Sequence, residues 1–153
     1  VERTDHLGGF LLLQSMAGGT GAGLGTHVAE LLRDAYPSSF RLNHCIWPYE
    51  SGEVIVQNYN SLLTLSHLLE AADGVMLVPN DALHATCARM HQIKRPSFDD
   101  LNKVAARGLA GALLPARRRE GGGAAGLAEA AEHLCPHPSL RQAPQMPAAS
   151  VQF

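Results

Sequence analysis

The 153 residues are 46% apolar and 17% charged, a composition that fits one globular domain and excludes a disordered, collagenous or coiled-coil chain. Twelve Lys and Arg stand against fourteen Asp and Glu, a formal charge of -2, which excludes the global basic field that nucleic acid or an anionic membrane surface would need. Cys45, Cys87 and Cys135 are odd in number and form no CxxC pair, so neither a disulfide framework nor a zinc ribbon is encoded, and a reducing, cytoplasmic setting fits. No apolar run approaches the roughly 18 residues of a membrane span. The opening residues, from Val1, have the pattern of neither a signal peptide nor a transit peptide. The chain is expected to be a piece of a longer protein.

In chain order, Phe10 to Met16 is apolar on both parities and ends in a glycine cluster, as a strand buried on both faces of a parallel sheet would. From Leu24 to Tyr36, Val28, Leu31, Leu32 and Ala35 recur at helical spacing until Pro37 stops the pattern. Phe40 to Trp47 is a second strand, closed by Pro48 and a Glu50-Ser51-Gly52 turn. Val54 to Ala72 is a helix whose apolar stripe is expected along Tyr59, Leu62, Leu63, Ser66 and Leu69. Gly74 to Val78 is a third strand, and Asn80 or Asp81 caps a helix running to about Gln92.

Ser97 starts another helix, since its hydroxyl can accept from an unpaired N–H while Asp99 and Asp100 suit the positive end of the dipole. That helix continues through Leu101, Val104 and Leu109. Strands alternating with helices predict right-handed crossovers, hence an α/β fold: a parallel sheet with flanking helices. Residues 1–112 form this domain. Residues 113–153, rich in Ala, Gly, Arg and Pro, are expected to be a loop, a short helix over Leu127 to Leu134 and a weakly ordered tail.

The chemistry concentrates in Ala17-Gly18-Gly19-Thr20-Gly21-Ala22-Gly23, between the first strand and the first helix. Glycines admit close approach and positive φ, and the following helix aims free N–H groups and partial positive charge into the same space, a combination suited to phosphate. No Gly-Lys-Ser/Thr ends the loop and the dinucleotide spacing GxGxxG fails, so two common nucleotide motifs are excluded. His84, Cys87 and His91 share one face of a predicted helix and could contribute to a zinc site, though no fourth ligand is indicated. Arg117 to Arg119 is a solvated run, and Trp47 a packing residue.

This glycine loop, with Leu24-Gly25-Thr26 after it, resembles the signature of the tubulin family. The resemblance runs on through Trp47-Pro48-Tyr49, Gly52 to Leu65, Pro79 to Leu83, Ser97 to Asn102 and Leu134 to Pro138. The wording of Trp47 to Leu65 is closest to the family's centriole-associated branch. The resemblance implies a tubulin-type domain that binds GTP or GDP with Mg2+, a cytoskeletal setting at microtubules, centrioles and cilia, and other tubulin-family subunits and microtubule or centriole components as partners. It places Ala17, Gly18, Gly19, Thr20, Gly21, Ala22 and Gly23 around the phosphates, Glu53 and Gln57 at the ribose, Asn80 and Asn102 at the guanine edge, and Phe98 stacked on the base.

In the family a downstream loop and helix reach the neighbouring subunit's nucleotide. Those positions read Ala124, Gly126 and Glu129 here, so Glu129 is the one retained candidate for orienting a hydrolytic water, and two polar loop positions are lost. Hydrolysis by the chain on its own is therefore expected to be negligible, and because some of the family's nucleotide loops precede the region where this chain begins, the chain is also expected to be poorly soluble and to bind guanine nucleotide at least about a hundredfold more weakly than a complete protein. Two function classes stand: a nucleotide-binding cytoskeletal protein that becomes a GTPase when a neighbour completes the site, and a non-polymerising nucleotide-binding α/β protein or small-molecule enzyme with the same loop.

Overall fold

The computed structural model describes residues 1–5, 7–52 and 55–114. Three strands, β1 (Phe10–Ser15), β2 (Arg41–Trp47) and β3 (Gly74–Pro79), form a parallel sheet in the order β1-β2-β3. The connections are helical: a π-helical turn, Thr20–Leu24, runs directly into α1 (Gly25–Ala35), and α2 (Gln57–Ala71) links β2 to β3. After β3 come α3 (Asn80–Met90) and α4 (Phe98–Leu113). This is the expected parallel sheet with flanking helices.

Side-chain alternation assigns the two faces. Leu12, Cys45, Trp47, Val75 and Leu77 point to the α1/α2 side, where they pack with Ala29, Leu68 and Ala71. Leu42 and Met76 point to the other side and meet Leu109, Ala112 and Leu113 of α4, while Leu83, Cys87 and Leu101 join α3 to α4. The central strand is pinned by Arg41, which is buried. Its guanidinium donates to the carbonyls of Ala71 (3.0 Å), Tyr36 (3.0 Å) and Ser39 (2.7 Å) and pairs with Asp73 at 3.0 Å. One side chain thereby closes the ends of α1 and α2 onto β2. At the start of α4 Ser97 builds the expected cap as a reciprocal box: its hydroxyl accepts from the Asp100 N–H at 3.3 Å, and the Asp100 carboxylate accepts from the Ser97 N–H at 2.9 Å.

Three expectations change. β1 is not buried on both faces: Leu11 and Leu13 are exposed, Leu13 by 66%, because α4 covers only the β2 and β3 columns on that side. β2 is the strand buried on both faces. The stripe expected to anchor α2 points outward, with Tyr59 70%, Leu62 67% and Leu63 61% exposed, while Gln57, Ser61, Thr64, Leu68 and Ala71 face inward. Val28 and Leu31 of α1 are exposed as well, and Ala22, Thr26 and Ala29 are buried. Small and hydroxyl side chains let both helices approach the sheet closely, and two of the buried hydroxyls, those of Thr26 and Ser61, are hydrogen-bonded to backbone carbonyls. Thr26 donates to the Ala22 carbonyl (2.7 Å) and lies 2.8 Å from that of Gly23, and Ser61 donates to that of Met16 (3.5 Å).

Candidate nucleotide site

The carboxyl ends of all three strands converge on one open cavity of about 770 Å³, the place where an open parallel sheet takes its ligand and a volume within the usual range for small-molecule sites. β1 contributes Ser15 and Ala17, the segment after β2 contributes Tyr49, Ser51 and Gly52, and β3 leads into Asn80, Asp81 and His84. Gln57 at the start of α2 and Phe98 at the start of α4 complete the wall.

Hydrogen bonds from the helices fix the loops that bear these residues. Asn60 of α2 donates its amide to the Ala17 carbonyl at 2.9 Å, holding the turn after β1. Gln57 donates to the Tyr49 carbonyl at 3.0 Å, and its amide sits where a Cβ on residue 52 would stand, so Gly52 is required by close approach. Asp81 accepts from the Glu50 N–H at 3.0 Å. The ring of Tyr49 meets His84 edge-on at 6.4 Å. Burial, then the nearby Asp81 carboxylate, pushes the Tyr49 phenol above its usual range, so it stays a neutral donor at physiological pH.

The site residues proposed from sequence divide into groups. Ala17, Gln57, Asn80 and Phe98 line the cavity together, and Phe98 is 77% exposed, an aromatic face free for stacking. Gly18 and Gly19, between β1 and the π-helical turn, and Thr20, its first residue, lie exposed at the positive end of a continuous helix that runs to Ala35. Gly21 and Ala22 serve packing: a Cβ on Gly21 would stand 2.5 Å from the Ser15 carbonyl oxygen, and Ala22 is buried. Gly23 is exposed, one turn further along the helix. None of these glycines needs the positive φ expected of them; among the described residues that region is occupied by Gly9 and Gln92. Asn102 is exposed one turn beyond Phe98 on α4, outside the cavity lining. Glu53 and Glu129, with Ala124, Gly126 and the short helix expected over Leu127 to Leu134, lie outside the described residues.

Ser15, Tyr49, Ser51, Asp81 and His84 line the cavity without having been singled out for it. His84 carried a usable signal, since it follows Asn80 by one helical turn and so shares its face. Its spacing to Cys87 and His91 suggested zinc, but the structure separates the three. His84 faces the cavity, whereas Cys87 is buried between α3 and α4 and lines a second cavity with His91. Among the described residues no group of three His, Cys, Asp or Glu side chains could hold a metal ion. No described helix is long and apolar enough to cross a membrane.

A parallel sheet whose strand ends enclose a cavity, with a glycine-rich turn feeding a helix N-terminus beside it, is the architecture of α/β domains that take phosphate-bearing ligands. Residues 1–88 match the GTPase domain of the Tubulin/FtsZ family, and the chain belongs to that family. Over its whole length it is similar to the tubulin delta chains of Mus musculus (47% identical), Canis lupus familiaris (45%) and Homo sapiens (45%). The chain spans 35% of the mouse protein's length and 36% of the other two.

Proposed function

We propose that this chain carries the guanine-nucleotide site of a delta-tubulin-like cytoskeletal protein that works with other tubulin-family subunits and microtubule or centriole components, in the cytoplasm and at centrosome, centriole and cilium. The observation that carries the reading is the single cavity at the strand ends, which gathers Ala17, Gln57, Asn80 and Phe98. In this reading the Asn80 amide reads the guanine edge, joined by Asn102 from α4, and Phe98 stacks on the base. Gln57, already holding the Tyr49 carbonyl, sets the ribose wall with Glu53. The backbone N–H groups from Gly18 to Gly21 and the helix dipole behind them meet the phosphates.

No lysine or arginine lines the cavity among the described residues, so much of the phosphate charge would be met by Mg2+ bound with the nucleotide. Hydrolysis would await a neighbouring subunit, and the matching contribution from this chain would be Glu129 acting on that neighbour's nucleotide.

Competition against labelled GDP tests the reading. GTP and GDP are expected to displace the label at concentrations at least tenfold below ATP, and Asn80→Ala to erase that preference, tenfold corresponding to about 1.4 kcal/mol. Equal displacement by ATP in the unsubstituted chain would sink the guanine assignment. Loss of all binding in Phe98→Ala, with the fold intact by circular dichroism, is expected from stacking.

A further inference from the structure

Where β1 leaves the sheet, its backbone passes from the hold of β2 to that of α2. The last ladder contact is the Met16 N–H donating to the Ile46 carbonyl at 3.2 Å, and the next N–H, that of Ala17, turns back to the Ser15 hydroxyl at 3.4 Å. The two carbonyls go to α2. Ser61, which is buried, donates to the Met16 carbonyl at 3.5 Å, and Asn60 donates its amide to the Ala17 carbonyl at 2.9 Å. Each backbone polar group of Met16 and Ala17 thus has a partner. The first free N–H is that of Gly18, followed by that of Gly19, and neither meets an acceptor among the described residues. Three residues before Asn60 on the same helix, Gln57 donates to the Tyr49 carbonyl at 3.0 Å. The first turn of α2 therefore grips the segments after β1 and after β2, both of which line the nucleotide cavity.

We propose that Asn60 is a positioning residue for phosphate, acting through the Ala17–Gly18 peptide to aim the Gly18 N–H. The inference rests on the guanine-nucleotide reading of the cavity. A trans peptide is planar, with its C=O and N–H pointing in opposite directions. With the Ala17 carbonyl drawn to α2, the Gly18 N–H points away from α2 and cannot turn without breaking the Asn60 contact. Gly18 and Gly19 have no side chains to brace the turn, and nothing lies within 4 Å of their Cβ positions. The restraint has to come from a neighbour, and among the described residues Asn60 supplies it. Without that amide the peptide is free to rotate, and the donor has to be ordered each time phosphate binds, a cost that preorganisation removes. No lysine or arginine lines the cavity among the described residues, so oriented N–H groups carry a larger share of phosphate recognition. Guanosine, which has no phosphate, makes no use of them.

The test is equilibrium dialysis of labelled GDP against the full 153-residue chain, with unlabelled GDP and guanosine as competitors. Asn60→Ala is expected to bind GDP more weakly by about tenfold or more, while its affinity for guanosine changes by less than about twofold. Asn60→Asp keeps the shape and loses the donor, so its GDP affinity should fall at least as far, with a carboxylate facing the Ala17 carbonyl. Asn58→Ala, exposed on the same turn of α2, should match the unsubstituted chain. A merely structural role for Asn60 would lower both affinities together, so the ratio of GDP to guanosine affinity is the deciding readout. An unsubstituted chain that binds neither ligand would sink the nucleotide reading itself. If the unsubstituted chain binds GDP, full GDP affinity in Asn60→Ala or Asn60→Asp, or an equal loss of GDP and guanosine, would overturn this inference alone.

Discussion

Two methyl groups placed two residues apart in the glycine turn should have opposite effects. A Cβ on Gly21 would stand 2.5 Å from the Ser15 carbonyl oxygen and 2.9 Å from the Ser15 nitrogen. Both are backbone atoms, so no rotamer change relieves the contact, and the π-helical turn must lift away from β1. Overpacking of this kind costs about 1–3 kcal/mol, offset in part by the roughly 1 kcal/mol that Ala gains over Gly inside a helix. A net loss of up to about 2 kcal/mol is expected for Gly21→Ala, and a larger one for Gly21→Val. Gly19 has φ −70° and ψ −52°, open to any residue, and nothing lies within 4 Å of its Cβ position. Gly19→Ala should therefore leave stability unchanged or raise it by about 0.4–1 kcal/mol through the unfolded state. Its methyl would occupy the open space beside the cavity where phosphate must approach the backbone, so guanine-nucleotide affinity should fall at least tenfold. Urea denaturation by linear extrapolation gives the first quantity, and equilibrium dialysis at one salt concentration gives the second. Full nucleotide affinity in Gly19→Ala would refute the phosphate contact, and undiminished stability in Gly21→Val would refute the packing argument.

Removing the Arg41 guanidinium takes a donor from the carbonyls of Ala71, Tyr36 and Ser39 and the opposite charge from Asp73, which keeps only the Arg41 backbone N–H at 2.9 Å, so Arg41→Ala should cost about 3 kcal/mol, the low end for a buried pair because Asp73 is partly solvated; a midpoint shift worth under about 1 kcal/mol would contradict this. Acid should destabilise in two stages. Burial holds His44 below its ordinary value of 6.5, so its contribution is complete above that pH and is lost as pH falls, whereas Asp100, held below 3.8 by its hydrogen bonds from Ser97, adds its loss only in stronger acid; His44→Gln should remove the upper stage, and a stability profile unchanged by it would exclude the assignment. Burial pushes the Cys45 thiol up to about 12, so Cys45 should resist thiol reagents at pH 8 until urea unfolds the chain, and its contribution to stability should be complete below about pH 8.5 and decline as pH rises further; rapid labelling of folded Cys45 would count against its burial.

Alternation of strand and helix was readable because stops and caps are local: Pro37, Pro48 and the Ser97 box each end or begin an element close to where the structure does. The direction in which α2 faces was not. Residues 57, 61, 64, 68 and 71 have the same helical period as 55, 59, 62 and 66, and periodicity alone cannot say that the stripe of small and polar side chains packs while the larger apolar one stays out. The outcome depends on how closely a helix must approach a parallel sheet, which is a tertiary quantity. The site divides in the same way. Asn80 and Phe98 stand at the first residues of helices, visible as starts, whereas Tyr49 and His84 meet only because the end of β2 folds beside α3. Gly21 has the most local reason, contact with Ser15 six residues earlier, yet that contact depends on the chain reversing after β1.

Photochemical mapping of the nucleotide tests the central claim most directly. An azido-guanosine triphosphate activated on the chain, followed by peptide mass analysis, should label the segments holding Tyr49 to Gln57, Asn80 to Ala85, and Phe98, and unlabelled GTP but not equimolar ATP should suppress the labelling. Label spread over other segments, or label that GTP fails to suppress, would contradict a guanine-nucleotide site at the carboxyl ends of β1, β2 and β3.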